Sequence, residues 1–276
     1  MQTILVTGAS GFVGKQILNA MSTAKVKLIP LVRIGKEHTV SDIINVERII
    51  STPDLFSENE EWWFQTCTGI DAIIHAAWYV EPGKYLLSTK NVDCLVGSMN
   101  MAKGAVKAGV KHIVGIGTCF EYDLTRGFLP IDTPLKPLTP YAAAKAALYF
   151  GLLHWLPAQN VCFSWCRLFY LYGEGEDERR LVSYIRQQLA KGEPVELTSG
   201  KQIRDFMDVR DAAEKIAAIA ITRKSGAFNI CSGIPITIRE VAEKIADEYG
   251  DKTLLHFGLR PDNIMDPPIV VGVINK

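Results

Sequence analysis

Short apolar runs alternate with segments of helical periodicity along most of the chain. We predict strands at residues 2–6, 25–33, 70–77, 111–117 and 161–168, and helices at residues 15–21, 92–108 and 141–153. Continuous apolar runs are typical of parallel strands that are covered on both faces. The alternation predicts an α/β fold with a Rossmann-type, doubly wound parallel sheet, in which ligands bind beyond the carboxyl ends of the strands.

Some stretches give a weaker pattern. Between residues 35 and 52 we predict a short helix at 41–46 and a strand at 48–50. Pro30 lies inside the second predicted strand, although a central strand disfavours proline. The later elements predict a smaller C-terminal lobe of residues 166–202 and 226–276. It would fold against a dinucleotide-binding domain of residues 1–165, to which residues 203–225 return.

A glycine-rich turn joins the first strand to the first helix. Gly8, Gly11 and Gly14 have the offsets that allow a tight turn, a close approach to a diphosphate and packing of the helix on the strand. Free N–H groups at the start of the helix would face the anion. The segment therefore predicts a dinucleotide site, with an ordinary glycine turn as the alternative.

Two later positions bear on the cofactor. Arg33 ends the second predicted strand, where an acidic residue would bind the ribose hydroxyls of NAD and an arginine suits the extra phosphate of NADP. We therefore predict that NADP(H) is preferred and that NAD(H) is possible, although a strand-end arginine can simply be solvated. Asp54 and Leu55 follow the third predicted strand and would flank the adenine.

Composition narrows the function further. The 276 residues are 48% hydrophobic, and 30 Lys and Arg balance 30 Asp and Glu, so neither nucleic acid nor a membrane is predicted as a partner. No charged leader or long apolar run is present, which predicts a cytoplasmic protein. The six cysteines form no C-x-x-C pair and the five histidines are scattered, so we predict neither disulfides nor a metal site.

Candidate catalytic residues lie at the start of the helix predicted at 141–153. Tyr141 and Lys145 share a helix face about one turn apart, and an ammonium beside a phenol favours the phenolate. Thr118 follows the strand predicted at 111–117, so its hydroxyl would lie at the same edge of the sheet. The three residues could stabilise an oxyanion and deliver a proton to it during hydride transfer. The alternatives are a surface Tyr–Lys pair and a turn-forming threonine.

Taken together, these motifs resemble the extended short-chain dehydrogenase/reductase family, of the NAD-dependent epimerase/dehydratase type that modifies nucleotide sugars. The resemblance covers nearly the whole chain. It rests on T-G-A-S-G-F-V-G at 7–14, H-A-A at 75–77, Thr118 with Tyr122, P-Y-x-x-x-K at 140–145, R-x-F-x-x-Y-G at 167–173 and R-D-F-x-x-V-x-D at 204–211.

The resemblance implies a role for each matching residue. Tyr141 and Lys145 would be the catalytic pair with Thr118, and Lys145 would also bind the nicotinamide ribose. The cofactor site would comprise Gly8, Gly11, Phe12, Val13, Gly14, Arg33, Asp54, Leu55, Ala76 and Ala77, together with the catalytic pair. The substrate site would comprise Thr118, Cys119, Tyr170, Arg204 and Arg260, with the two arginines on the diphosphate of a nucleotide sugar.

Two departures from the family pattern affect the expected reaction. Cys119 and Phe120 stand where dehydratases carry an acidic pair, so elimination of water is disfavoured. Tyr170 replaces an asparagine that usually contacts substrate. The expectation is NADPH-dependent reduction of a nucleotide-linked 4-keto-6-deoxy sugar by a homodimer with a four-helix contact. The alternatives are an NAD-dependent 4-epimerase and a non-catalytic dinucleotide sensor or scaffold.

Overall fold

The computed structural model of the chain describes residues 1–263 and 266–275. Seven strands form one parallel sheet: β1 (Gln2–Thr7), β2 (Val26–Arg33), β3 (Ile50–Thr52), β4 (Ala72–His75), β5 (His112–Thr118), β7 (Cys162–Leu168) and β11 (Gly226–Ile230). Their spatial order is β11-β7-β5-β4-β1-β2-β3. The order reverses between β1 and β4, which places a ligand crevice beyond the carboxyl ends of these two strands.

Helices cover both faces of this sheet. On one face, α1 (Phe12–Met21) and α6 (Val209–Thr222) bury apolar side chains such as Ile17 and Ile216 against the strands. On the other face lie α2 (Glu60–Cys67), α3 (Lys90–Ala108) and α4 (Pro140–Ala158). The fold confirms the predicted doubly wound α/β class.

The remaining elements form a smaller assembly beside the large sheet. A second sheet contains β6 (Phe128–Leu129), β8 (Tyr170–Tyr172), β10 (Ile203–Asp208), β12 (Pro235–Thr237) and β14 (Ile269–Gly272). Helices α5 (Leu181–Lys191) and α7 (Ile238–Tyr249) pack with the pair β9 (Val195–Leu197) and β13 (Leu255–Phe257) around a separate apolar core. These elements therefore have an apolar core that is separate from the core of the large sheet.

Pro30 is accommodated because of where it lies in β2. Alternate N–H groups of a strand point to the same side, and the Leu28 N–H donates to the Asn45 carbonyl at 2.8 Å on the β3 side. The neighbouring chain leaves the ladder after Val46 and pairs again only at Ile50, opposite Leu31. The missing N–H of Pro30 therefore faces a gap in the pairing.

Four sequence predictions are wrong in detail. Residues 41–46 form turns instead of a helix, and a short 3-10 helix precedes them at Glu37–Thr39. The third strand begins at Ile50, two residues later than predicted. The residues of β11 are predicted to lie in the smaller lobe, but this strand pairs in parallel with β7 and is the edge of the large sheet. Conversely, β10 belongs to the smaller sheet, although its residues are predicted to return to the dinucleotide-binding domain.

Candidate active site

The glycine turn after β1 packs too closely for side chains. Gly8 has φ +65°, and a Cβ on it would lie 2.8 Å from the Ala77 backbone. A Cβ on Gly14 would lie 2.2 Å from the Gly8 carbonyl oxygen. Gly11 is the N-cap of α1 and offers no side chain to its first N–H groups. The backbone at the start of α1, including Phe12 and Val13, can therefore serve as an anion site.

A buried chain of hydrogen bonds holds the end of β4 beside this turn. The Thr7 hydroxyl lies 2.8 Å from His75 Nδ1, and the Ser98 hydroxyl lies 2.8 Å from His75 Nε2. The Ala77 N–H donates to Thr7 Oγ1 at 3.3 Å. Burial, with a smaller effect of Lys145, lowers the pKa of His75 to about 3, so the ring is neutral. These bonds fix the Ala76–Ala77 segment against the glycine turn.

Lys145 reaches the sheet from the first turns of α4. This helix begins at Pro140, and the Thr139 side chain accepts the Ala142 N–H at 3.2 Å as its N-cap. Lys145 is 3% exposed, and its Nζ donates to the Ile116 carbonyl of β5 at 2.6 Å. Burial lowers the pKa of this ammonium to about 7, while Glu121 and Cys94 act in the opposite direction.

Tyr141 and Thr118 lie together beside this lysine. Both residues are buried, at 8% and 6% exposure. Burial raises the pKa of the Tyr141 phenol, neighbouring Tyr85 and Glu121 add to this, and a hydrogen bond with the Thr118 side chain opposes it. This raised pKa is opposite to the prediction that the Lys145 ammonium favours the phenolate, because burial outweighs the other effects. The phenol is therefore the favoured form, and Tyr141 holds a proton that it can donate. The structure thus brings together the Thr118, Tyr141 and Lys145 set that the sequence predicts.

Trp78 and Tyr85, two aromatic residues outside the predicted site, contact this set. The Lys145 ammonium lies 3.8 Å from the centre of the Trp78 ring, where it gains a cation–π contact. The Tyr85 ring packs edge-on against Tyr141 at 4.8 Å. Buried Asn91 connects them, since it accepts the Trp78 indole N–H at 2.9 Å and donates to the Tyr85 carbonyl at 2.6 Å. Trp78 directly follows the H-A-A motif, and this position was a sequence signal that it belongs to the site.

The predicted contacts for the adenosine part of the cofactor are at the expected edge of the sheet. Arg33 is exposed at the carboxyl end of β2. Asp54 closes a turn after β3, where its carboxylate accepts the Phe56 N–H at 3.0 Å, and Leu55 is buried. β2 and β3 are adjacent and parallel, so these residues lie on one side of the crevice.

Cys119 and Tyr170, two of the residues predicted to bind substrate, lie in apolar surroundings. Cys119 is 3% exposed, and burial raises its pKa to about 12, so it is an apolar neighbour of the site. Tyr170 is half-buried, with its ring 6.2 Å from that of Phe120. Cys119, Phe120 and Tyr170 belong to one apolar cluster. Neither Cys119 nor Phe120 carries the carboxylate that an elimination would need at its position.

The two arginines predicted to bind a diphosphate are not equivalent. Arg204 is 2% exposed, its guanidinium forms an ion pair with Asp266 at 2.6 Å, and it donates to the Ile203 carbonyl at 2.8 Å. A phosphate contact would require exchange of Asp266. Arg260 is exposed and donates to the Tyr184 hydroxyl of α5 at 2.9 Å. These contacts are with the outer elements of the small assembly, so the substrate role of Arg260 stays a prediction.

Within residues 1–263 and 266–275, no group of three or more His, Cys, Asp or Glu side chains could hold a metal ion. Over the same part of the chain, no helix has both the length and the apolar character needed to cross a bilayer.

The chain is similar in sequence to a known family and to several named enzymes. Residues 4–231 match the NAD dependent epimerase/dehydratase family. The chain is 26% identical over 275 residues to a dTDP-6-deoxy-L-talose 4-dehydrogenase (NAD(+)) of Aggregatibacter actinomycetemcomitans, with 98% of each protein covered. It is 27% identical to a GDP-6-deoxy-D-mannose reductase of Pseudomonas aeruginosa, covering 89% of this chain and 80% of that one.

Solved structures give the same fold. The UDP-glucose 4-epimerase of Thermus thermophilus in complex with NAD superposes with a TM-score of 0.83 at 21% identity, covering 99% of this chain and 91% of that one. A dTDP-glucose 4,6-dehydratase of Streptomyces venezuelae with NAD bound also gives 0.83, at 20% identity and 99% and 88% coverage. At these identities the similarity is one of architecture.

Proposed function

Because the chain belongs to the NAD dependent epimerase/dehydratase family, and is an NAD(P)-dependent enzyme of the extended short-chain dehydrogenase/reductase type, we propose that it reduces a nucleotide-linked 4-keto-6-deoxy sugar with NADPH. The observation that carries the proposal is the buried set of Thr118, Tyr141 and Lys145. Its lysine lies against Trp78, directly after the Ala76–Ala77 segment that packs on the glycine turn. A bound reduced nicotinamide would supply the hydride.

Each residue of the set has a distinct task in this proposal. Tyr141 donates its proton to the oxygen of the former keto group, because the raised pKa keeps the phenol protonated until an alkoxide needs the proton. Thr118 orients that oxygen through its hydroxyl. Lys145, held by the Ile116 carbonyl, orients the nicotinamide ribose and stabilises the phenolate that remains.

The apolar surroundings of the site support a 6-deoxy sugar as substrate. Cys119 and Phe120 offer a thiol of raised pKa and a ring where elimination of water would need an acid and a base. The two curated relatives reported above are named for 6-deoxy sugars. A methyl group at C6 of the sugar would pack against Cys119 and Phe120, whereas a hydroxyl group there would lack a hydrogen-bond partner.

Cofactor preference rests on Arg33. Its guanidinium at the exposed end of β2 suits the adenosine phosphate of NADP, and no acidic residue occupies this position to bind the ribose hydroxyls of NAD. An NAD-dependent 4-epimerase is the second candidate, because the chain is also 26% identical, over 90% of its length, to a putative UDP-glucose 4-epimerase of Methanocaldococcus jannaschii.

We also propose a homodimer through α3 and α4. Val92 and Val96 on α3, and Phe150 on α4, are 59%, 54% and 55% exposed although they are large and apolar. These two helices pack side by side, so a second copy could complete a four-helix contact that covers all three side chains.

The central experiment combines ligand identification with turnover. Mass spectrometry of gently purified protein would identify a retained dinucleotide, and NADPH oxidation would then be followed with a panel of nucleotide 4-keto sugars. NADPH consumption supports the reductase. Retained NAD with interconversion of two sugars and no net NADPH consumption would favour the epimerase instead.

The variant Tyr141→Phe tests the mechanism. We expect turnover to fall at least about 1,000-fold, because the proton donor is lost, while dinucleotide affinity stays within about threefold. Tyr249→Phe, at the exposed end of α7, is the matched control and should retain wild-type activity. Undiminished turnover of Tyr141→Phe would refute the assigned proton donor.

A further inference from the structure

A buried carboxylate lies directly behind the catalytic set. Glu121 is fully buried in the short 3-10 helix Cys119–Glu121 that follows β5. Its Oε1 accepts the Thr118 backbone N–H at 2.9 Å, and both of its oxygens lie 3.0–3.1 Å from the Trp165 indole nitrogen.

The charge of Glu121 is balanced from the opposite side. The Arg167 Nε donates to Glu121 Oε2 at 2.7 Å, and the guanidinium lies between the Tyr122 and Tyr149 rings at 4.8 and 4.6 Å. Arg167 also donates to the Tyr122 hydroxyl, which in turn donates to Asn229. The carboxylate is therefore held in one orientation by partners on β7 and β11.

This anchoring fixes the conformation of Thr118. The Thr118 hydroxyl accepts the Phe120 N–H at 3.3 Å while Glu121 returns to the Thr118 N–H, a reciprocal capping box around the turn. With both its hydroxyl and its amide engaged, Thr118 has little freedom to rotate away from Tyr141.

We propose that Glu121 is a positioning residue whose carboxylate, neutralised by Arg167, locks the Thr118 amide and thereby orients the Thr118 hydroxyl toward the phenol of Tyr141. This inference rests on the proposed function, since it gives Thr118 the task of orienting the reacting oxygen. Glu121 acts through Thr118 and contacts neither substrate nor cofactor.

Gly117 shows how tightly this arrangement is built. A Cβ on Gly117 would lie 2.5 Å from Glu121 Oε1 and 2.2 Å from the Trp165 indole nitrogen. The carboxylate and the indole therefore lie directly against the backbone of β5, so a displacement of Glu121 would be transmitted to Thr118.

A pair of double variants isolates the positioning role. Both carry Arg167→Met, which removes the cation that would otherwise be left unpaired. One adds Glu121→Gln, whose amide oxygen can still accept the Thr118 N–H, and the other adds Glu121→Leu, which cannot. We expect kcat of the leucine variant to be about 10- to 100-fold below that of the glutamine variant, with the KM for dinucleotide within about threefold.

Hydrogen exchange of the Thr118 amide, followed by NMR, provides a measurement that needs no substrate. The amide should exchange at least about tenfold faster in the leucine variant than in the glutamine variant. Equal kcat and equal exchange in the two variants would overturn the proposal. Failure of the wild type to reduce any sugar would instead refute the proposed function and leave the exchange result to decide the role of Glu121.

A single variant covers the case in which the leucine chain does not fold. Glu121→Asp keeps the charge that pairs with Arg167 but draws the carboxylate back by one methylene from the Thr118 amide. We expect kcat to fall at least about fivefold with dinucleotide KM unchanged. Wild-type kcat in this variant would overturn the proposal.

Discussion

Replacing Lys145 with methionine should destroy activity and yet stabilise the free protein. Burial lowers the pKa of Lys145 to about 7, whereas an unfolded lysine titrates near 10.4. Keeping this lysine buried therefore costs about 4 kcal/mol at pH 7 relative to the unfolded chain, since each pH unit between the two pKa values is worth about 1.4 kcal/mol. Methionine fills a similar volume without a charge.

The loss of two Lys145 contacts offsets part of the stability that the variant gains. Lys145→Met leaves the Ile116 carbonyl without its donor and removes the contact with the Trp78 ring, which together cost about 2 kcal/mol. We therefore expect the variant to be more stable than the wild type by about 2 kcal/mol at pH 7. Replacement of a catalytic residue is expected to lower turnover and to raise stability, because active sites are built at the expense of stability.

The pH dependence of this stability difference tests whether burial of the Lys145 charge is its cause. Between pH 7 and pH 10.4 the unfolded chain binds more protons at Lys145 than the folded chain, so the stability of the wild type rises with pH across this window. The advantage of Lys145→Met should fall by about 3 kcal/mol between pH 7 and pH 10, so it should change sign at about pH 9. Below pH 7 it should stay close to its largest value.

Urea unfolding followed by tryptophan fluorescence measures these differences, in protein from which dinucleotide has been removed. Lys103→Met is the matched control, because Lys103 is 52% exposed and pairs with Glu60 at the surface. Its effect on stability should stay within about 0.5 kcal/mol at every pH. The reasoning is refuted if Lys145→Met is less stable than the wild type at pH 7, or if its advantage does not change with pH.

Four further variants test the binding surfaces. Gly14→Ala places a Cβ 2.2 Å from the Gly8 carbonyl oxygen, so its dinucleotide affinity, measured by calorimetry, should fall at least about tenfold. A Cβ on Gly11 would lie 3.2 Å from the same oxygen, so Gly11→Ala should lose less dinucleotide affinity. Arg33→Ser should raise the KM for NADPH about tenfold and leave that for NADH within about twofold; equal changes for both would count against a phosphate contact. Asp266→Asn releases Arg204 from its ion pair and should tighten binding of a nucleoside diphosphate about threefold, with unchanged affinity arguing that Arg204 is structural only.

The sheet, the glycine turn and the Tyr–Lys pair could be predicted because each depends on a short stretch of sequence. The apolar runs of β1, β4 and β5 are continuous, and the face shared by Tyr141 and Lys145 follows from helix geometry alone. The T-x-x-E pattern at Thr118 and Glu121 is equally local, and the same capping box recurs at Thr237 and Glu240. The pattern indicates the turn, but it does not identify the cation that balances Glu121.

Other features depend on contacts between distant segments. Asn91 contacts Trp78 and the Tyr85 segment, and Arg204 forms an ion pair with Asp266, which lies far along the chain. The strand β11 joins the large sheet because β7 leaves an open edge there. Periodicity describes one segment at a time and cannot identify such partners.

The position of β14 in the second sheet has a consequence for how the protein folds. This strand lies between β10 and β6 and pairs with both, with Ile203 opposite Ile269 and Phe128 opposite Val271. The β6–β14 pair joins positions 128 and 271, which are farther apart along the chain than the partners of any pair in the large sheet. Closing such a long loop is entropically costly and slow. We therefore expect the large sheet to assemble first during refolding, and the pairing of β14 with β6 to be the slow, late phase.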